Sequence, residues 1–181
     1  MKNLPNSERL GYEFFSKDVL EVAPALLGKT LIRLFPDGRT AKFIITETEA
    51  YRGEEDLACH ASKGRTNRTD IMYHDGGFIY IYLIYGMYWM LNIVTGKKGN
   101  PQAVLIRGLE NLYGPGKITK FLGIDKSFYG ENLVNSKRIY ICNNSKPVTY
   151  NTGCRIGIDY AGDIWQNKPW RFTLEENKKK I

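Results

Sequence analysis

The stretch Phe78-Ile79-Tyr80-Ile81-Tyr82-Leu83-Ile84-Tyr85-Gly86-Met87-Tyr88-Trp89-Met90-Leu91-Asn92-Ile93-Val94-Thr95 decides the architecture of this chain. Nearly every position is apolar or aromatic, interrupted mainly by Gly86 and Asn92, and by composition alone the segment resembles a membrane helix. Its details favour strands. Tyr80, Tyr82, Tyr85, Tyr88 and Trp89 spread polar tips along it, while β-branched Ile79, Ile81, Ile84, Ile93 and Val94 suit a pleated, buried surface. We therefore read two buried strands that reverse at Tyr85-Gly86-Met87. A three-residue loop pairs 84 with 88, 82 with 90 and 80 with 92, which puts Tyr82 and Asn92 on one face; a two-residue loop would put Asn92 on the other.

Working outward, residues 102–109 form a further strand after the basic turn 96–100, and Asp75-Gly76-Gly77 breaks the chain before the hairpin. Upstream, 29–35 and 40–51 read as a second hairpin around Pro36-Asp37-Gly38, preceded by a short helix that Ser16 caps and Gly28 stops. Between the hairpins, 52–65 is a polar loop and 66–73 a short helix. Downstream, Gly114-Pro115-Gly116-Lys117 opens a helix through Leu122, followed by short strands at 138–142, 154–158 and 170–174 and a basic end at 178–180. Strand runs dominate with no βαβ alternation. The expected class is α+β: a single domain over 1–181 with a mainly antiparallel, curved sheet, short peripheral helices and a protruding hairpin.

Composition narrows the function. The chain has 181 residues, 43% hydrophobic and 25% charged, which excludes a disordered, collagen-like or coiled-coil protein. A net charge of +7 and a pI near 9.2 favour a polyanionic partner, and twelve tyrosines offer rings that stack on bases. Cys59, Cys142 and Cys154 are odd in number and lack CxxC spacing, so neither a disulfide framework nor a zinc site is expected. The N-terminus has no apolar core of a signal peptide, and no uninterrupted apolar run reaches the ~18 residues of a membrane span. A soluble, intracellular protein without a membrane association is expected.

In Phe43-Ile44-Ile45-Thr46-Glu47-Thr48-Glu49-Ala50-Tyr51, period-two alternation puts Phe43, Ile45, Glu47, Glu49 and Tyr51 on one face. A carboxylate beside apolar side chains has a raised pKa suited to a general base; the plainer reading is a solvated or Arg-paired strand end. His60 and His74 lack a ligand pattern, so no metal is expected. Tyr85 stands where the chain must reverse, which offers its ring to solvent as an intercalating wedge. Gly114-Pro115-Gly116-Lys117 presents amides to a phosphate or is simply a turn, and Lys63/Arg65/Arg68 with Lys97/Lys98 track a nucleic-acid backbone or solvate loops.

Glu47-Thr48-Glu49-Ala50-Tyr51 with His60, then Tyr80-Ile81-Tyr82-Leu83-Ile84-Tyr85-Gly86-Met87-Tyr88 through Asn92, closely resemble the alkyladenine (3-methyladenine or methylpurine) DNA glycosylase family. So do Arg9-Leu10-Gly11-Tyr12-Glu13-Phe14-Phe15, Val104-Leu105-Ile106-Arg107, Gly114-Pro115-Gly116-Lys117, Arg155-Ile156-Gly157-Ile158 and Lys168-Pro169-Trp170-Arg171-Phe172, in the family's order. The resemblance covers nearly the whole chain. It implies that Glu49 activates water for attack on C1′ and that Arg107 helps orient it. It further implies that Tyr51, His60 and Tyr82 sandwich a flipped purine, that Tyr85 replaces it in the stack, that Asn92 excludes guanine, and that a carbonyl near Ile156 or Ile158 holds the water. The implied activity is a monofunctional glycosylase of base excision repair that removes alkylated or deaminated purines from double-stranded DNA, without cofactor, as a monomer. Frequent Lys, Asn, Ile and Tyr fit an A/T-rich bacterium, hence a cytoplasmic, nucleoid location. The competing class is a non-catalytic nucleic-acid-binding module with a stacking surface. One departure from the family stands out: only Asn111-Leu112-Tyr113 connects Leu109-Glu110 to Gly114, where relatives carry a longer connector with a helix.

Overall fold

The computed structural model describes residues 8–144 and 147–175. The basic end at 178–180 lies outside them. Two helices, α1 (Tyr12–Phe15) and α2 (Val19–Ala25), lead into strands β1 (Thr30–Leu34) and β2 (Thr40–Arg52). The aromatic hairpin is β3 (Ile79–Ile84) and β4 (Tyr88–Val94), followed by β5 (Gln102–Leu109), the short β6 (Leu112–Tyr113) and helix α3 (Pro115–Leu122). Strands β7 (Ile139–Cys142), β8 (Tyr150–Gly153) and β9 (Arg171–Leu174), with α4 (Asp163–Gln166) before the last, complete the chain. The strands form one nine-stranded sheet with the path β3-β4-β5-β2-β1-β7, to which β6 adds on β5, β9 on β2 and β8 on β9. All its pairings are antiparallel. This is the α+β class expected.

The hairpin register is the one a three-residue loop requires: Ile84 opposite Tyr88, Tyr82 opposite Met90 and Tyr80 opposite Asn92. Tyr85 (φ 52°) and Gly86 (φ 68°) both take left-handed backbone to close it. Tyr82 and Asn92 consequently share a face. On the other parity, Ile79, Ile81, Leu91 and Ile93 join the main core, which also takes Val19, Val22 and Ala23 of α2 and Ile118 and Leu122 of α3. Among the described residues no helix is long and apolar enough to cross a membrane.

Several expectations are corrected. Asp18, not Ser16, caps α2, accepting from Leu20 N–H at 2.9 Å. A carboxylate two residues nearer the helix competes better for its free amides. The same Asp18 receives Arg52 and Gln102 side chains, and Gln102 accepts from Val19 N–H at 2.7 Å, so α2 is pinned to β2 and β5. The helix expected at 66–73 is a single 3₁₀ turn, Asp70–Tyr73. Residues 154–158 are not a strand; the polar Tyr150–Gly153 pairs with β9 instead. Finally, the common face of Phe43, Ile45, Glu47, Glu49 and Tyr51 is broken by register shifts at Ile45/Glu47 and Glu47/Thr48. Such irregularities rotate the strand, so Ile45 joins the main core while Glu47 and Glu49 turn to Arg107.

Gly108 makes the irregularity possible. A Cβ there would lie 2.8 Å from the Glu47 Cβ and 2.9 Å from Thr46 Oγ1, so no larger residue fits without moving the strand that carries both carboxylates.

Candidate active site

A cavity of about 830 Å³ opens between the hairpin, the loop holding His60 and the segment around Ile156. Tyr51, His60, Tyr82, Asn92 and Arg107 all line it, and Tyr85 stands at its rim. The size admits a drug-sized or nucleobase-sized guest.

Glu49 sits on β2 with its side chain wholly buried. Tyr51 OH donates to Oε2 at 2.9 Å, and the Ile156 backbone N–H donates to Oε1 at 2.9 Å. Arg107 Nη1 lies 3.5 Å from Oε1. Burial pushes the Glu49 carboxyl above its ordinary pKa; Arg107, the Ile156 amide and the Tyr51 hydroxyl pull the other way without cancelling it. Arg107 is shared: its Nε lies 3.3 Å from Glu47 Oε1, though not aligned as a hydrogen bond, and Glu47 also accepts from Arg171 Nη1 at 3.1 Å. A buried carboxylate of raised basicity, held by two hydrogen-bond donors and the charge of Arg107, can take a proton from water at neutral pH.

The aromatic walls follow from the strand parity. His60 and Tyr82 meet edge to face with centroids 4.5 Å apart, so together they make one wall. His60 Nδ1 is 2.8 Å from the Tyr80 hydroxyl, which fixes the ring. Burial, reinforced by Arg68 and Lys63, pushes the imidazole pKa down to about 4, so the ring is neutral at physiological pH. Arg68 also lies over Tyr82, 5.3 Å from its centroid. Tyr51 lines the pocket and carries the Arg155 guanidinium 4.9 Å from its centroid. Asn92 is buried, and its Nδ2 donates to the carbonyls of Tyr80 and Met90 at 3.3 and 3.1 Å, which holds the amide in one orientation.

Tyr85 is 85% exposed at the hairpin tip beside the exposed Met87. Lys63, Arg68 and Lys117 line the pocket mouth, and Gly116 packs under Tyr88 so closely that a Cβ would lie 2.8 Å from its ring. Among the described residues no three His, Cys, Asp or Glu side chains come together as a metal ligand set.

Sequence reasoning did not find the Ile156 amide, because a backbone donor leaves no trace in residue type. Nor did it find Glu47 as the second anchor of Arg107, or the buried Arg155–Asp56 pair behind Tyr51.

Comparison with known proteins identifies the family. The family model described as methylpurine-DNA glycosylase matches residues 13–113 and 110–178. A protein of Rickettsia rickettsii (strain Sheila Smith), provisionally named a 3-methyladenine DNA glycosylase, is 47% identical over 171 residues, covering 91% of this chain and 88% of its own. A protein of Borreliella afzelii (strain PKo) with the same name is 45% identical over 179 residues, covering 91% and 95%. The chain is thus an enzyme, a hydrolase of N-glycosyl bonds. It belongs to the methylpurine-DNA glycosylase family.

Proposed function

We propose that this enzyme flips alkylated or deaminated purines out of double-stranded DNA and hydrolyses the N-glycosidic bond as a monofunctional base-excision glycosylase. The observation that carries the reading is Glu49, fully buried against an aromatic pocket yet held as a carboxylate by Arg107, Tyr51 and the Ile156 amide. A base inside a duplex exposes no face of C1′ to attack, so it must leave the stack first. Tyr85 takes its place there, and Tyr51, His60 and Tyr82 receive the purine. Alkylation at N3 or N7 makes the purine cationic, which weakens the bond to the sugar and adds a cation–π attraction of ~1–2 kcal/mol. The C1′–N bond breaks with its electron pair passing to the purine. Water oxygen bonds to C1′ as Glu49 takes the proton, and Arg107 orients the carboxylate and the water. The products are free base and an abasic sugar. No lysine stands in the Glu49 motif to form a Schiff base, hence no strand cleavage. The enzyme acts as a monomer in the cytoplasm, on the nucleoid. Release of free base from methylated duplex DNA, undiminished by chelator, is the test; binding without release would leave only a nucleic-acid-binding module.

Tyr85→Ser should weaken flipping. An aromatic stacked on a base contributes about 1–3 kcal/mol, so affinity for lesion DNA should fall on the order of ten-fold. The fluorescence change of a base analogue beside the lesion should shrink with it. Binding of undamaged duplex by either protein should weaken as salt rises, through counterion release. A flipping signal equal to wild type sinks the wedge.

Asn92 meets the minor-groove edge of the flipped purine, where guanine alone carries a 2-amino group. Because its amide is fastened to two carbonyls, it excludes that group by position. Asn92→Ser should raise excision of guanine-derived bases relative to adenine-derived ones by on the order of ten-fold. Equal slowing of both classes would make Asn92 purely structural.

A further inference from the structure

Behind the Tyr51 wall lies an ion pair with no part in the reading above. Arg155 and Asp56 are both wholly buried, and their contact is bidentate: Nη1 donates to Oδ2 at 2.5 Å and Nη2 to Oδ1 at 2.9 Å. The guanidinium also donates to the carbonyls of Ala50 at 3.0 Å and Trp165 at 3.3 Å. It lies 4.9 Å from the Tyr51 centroid and 5.0 Å from that of Trp170. Asp56 in turn accepts from the amides of Arg52 and Ala58, each at 3.1 Å.

Chain order makes this arrangement consequential. Arg155 directly precedes Ile156, whose N–H meets Glu49, and Ala50 directly follows Glu49 on β2. One guanidinium thus grips the backbone on both sides of the Glu49 contact, while its face backs Tyr51. A buried ion pair contributes little stability beyond what well-packed apolar residues would supply, so stability alone does not explain it. Since Asp56 neutralises Arg155, direct attraction on Glu49 does not explain it either. What the pair supplies is geometry fixed at four acceptors.

We infer that Arg155, clamped by Asp56, is a positioning residue of the glycosylase reaction, setting the Ile156 amide against the Glu49 carboxylate and the Tyr51 ring against the pocket. The inference rests on Glu49 being the base. Around Glu49 the other charged groups are Arg107 of β5 and Glu47 of β2, with Arg171 of β9 bound to Glu47. The phenols of Tyr51, Tyr82 and Tyr160 stand near it from β2, β3 and the segment after Ile156. None of these is attached to Arg155 by a hydrogen bond. A loosened Ile156 amide therefore removes one stabiliser of the carboxylate and leaves the rest, and the base should protonate at higher pH.

The test measures single-turnover excision from methylated duplex DNA across pH for wild type, Glu49→Gln, Arg155→Lys and the double variant Arg155→Met/Asp56→Asn. The double variant leaves no orphaned charge. It should slow excision on the order of a hundred-fold, the scale of a displaced catalytic group, and move the acid limb to higher pH. Arg155→Lys keeps the charge but cannot reach four acceptors, so it should fall between. A folded double variant with the wild-type limb, whatever its rate, overturns the inference. Should the double variant fail to fold, Arg155→Lys decides alone: the wild-type limb overturns, an upward shift supports. Full activity in Glu49→Gln would defeat the base assignment itself, whereas an inactive Glu49→Gln beside wild-type Arg155 variants would defeat only the clamp.

Discussion

Glu49→Gln should lower single-turnover release of alkylated base by about 10²–10⁴-fold, the usual consequence of losing a positioned general base, while lesion-DNA affinity stays within a few-fold. The amide keeps the volume of the side chain and leaves Arg107 its contact with Glu47, so the pocket walls have no cause to move. Retained excision at half the wild-type rate would defeat the mechanism. The pH profile provides a second check. Burial raises the Glu49 carboxyl, so wild-type excision should fall with acid through an apparent value above the ordinary carboxylate range. His60, neutral down to about 4, does not titrate in that window. Stability should move oppositely to activity. A folded pKa above the unfolded one means that proton uptake stabilises the fold at low pH and that this contribution is lost as pH rises through the folded value. At neutral pH the wild type holds a desolvated carboxylate that the variant lacks, so Glu49→Gln should melt no lower than wild type. A lowered melting temperature would point to lost structure rather than lost chemistry.

The parts of the fold that could be read from sequence are those written in local pattern. The aromatic hairpin, its three-residue turn and the Tyr82/Asn92 face follow from β-branched runs around one Gly86. Strand β5 is legible with its bounds because Ala103 to Ile106 is an apolar run of β-branched and aliphatic residues and Pro101 stands just before it. The shift in β2 was hidden, because alternation continues through Thr46 in the sequence while the backbone irregularity there depends on Gly108 across the sheet. Residues 150–158 misled for a similar reason. Tyr150–Gly153 is polar and short, and Cys154 to Ile158 alternates like a strand, yet its Arg155 is diverted to Asp56 and its Ile156 amide to Glu49. Pocket walls thus come from pattern and family resemblance, whereas what orients them comes from pairings 99 and 107 residues apart that no local window contains.

The cost of breaking such a pairing should be large. Asp56→Ala removes the acceptors of Arg155, Arg52 and Ala58 together and leaves a buried guanidinium uncompensated, which costs about 3–5 kcal/mol. Against a total stability of about 5–15 kcal/mol that is a major fraction. In a chain of this size it should lower the melting temperature by roughly 10 °C or more. Asp37→Ala is the internal comparison. Asp37 pairs with Arg39 at the tip of the first hairpin, with side chains 53% and 74% exposed, so solvent screens the pair and its loss should barely move the melting temperature. Denaturant midpoints of the two variants should therefore differ several-fold in their shifts, with slopes unchanged. Adding Arg155→Met to Asp56→Ala should recover part of the loss, because the orphaned charge, not the missing contact, dominates the penalty; a strictly additive double variant would show instead that Asp56 acts through the Arg52 and Ala58 amides alone.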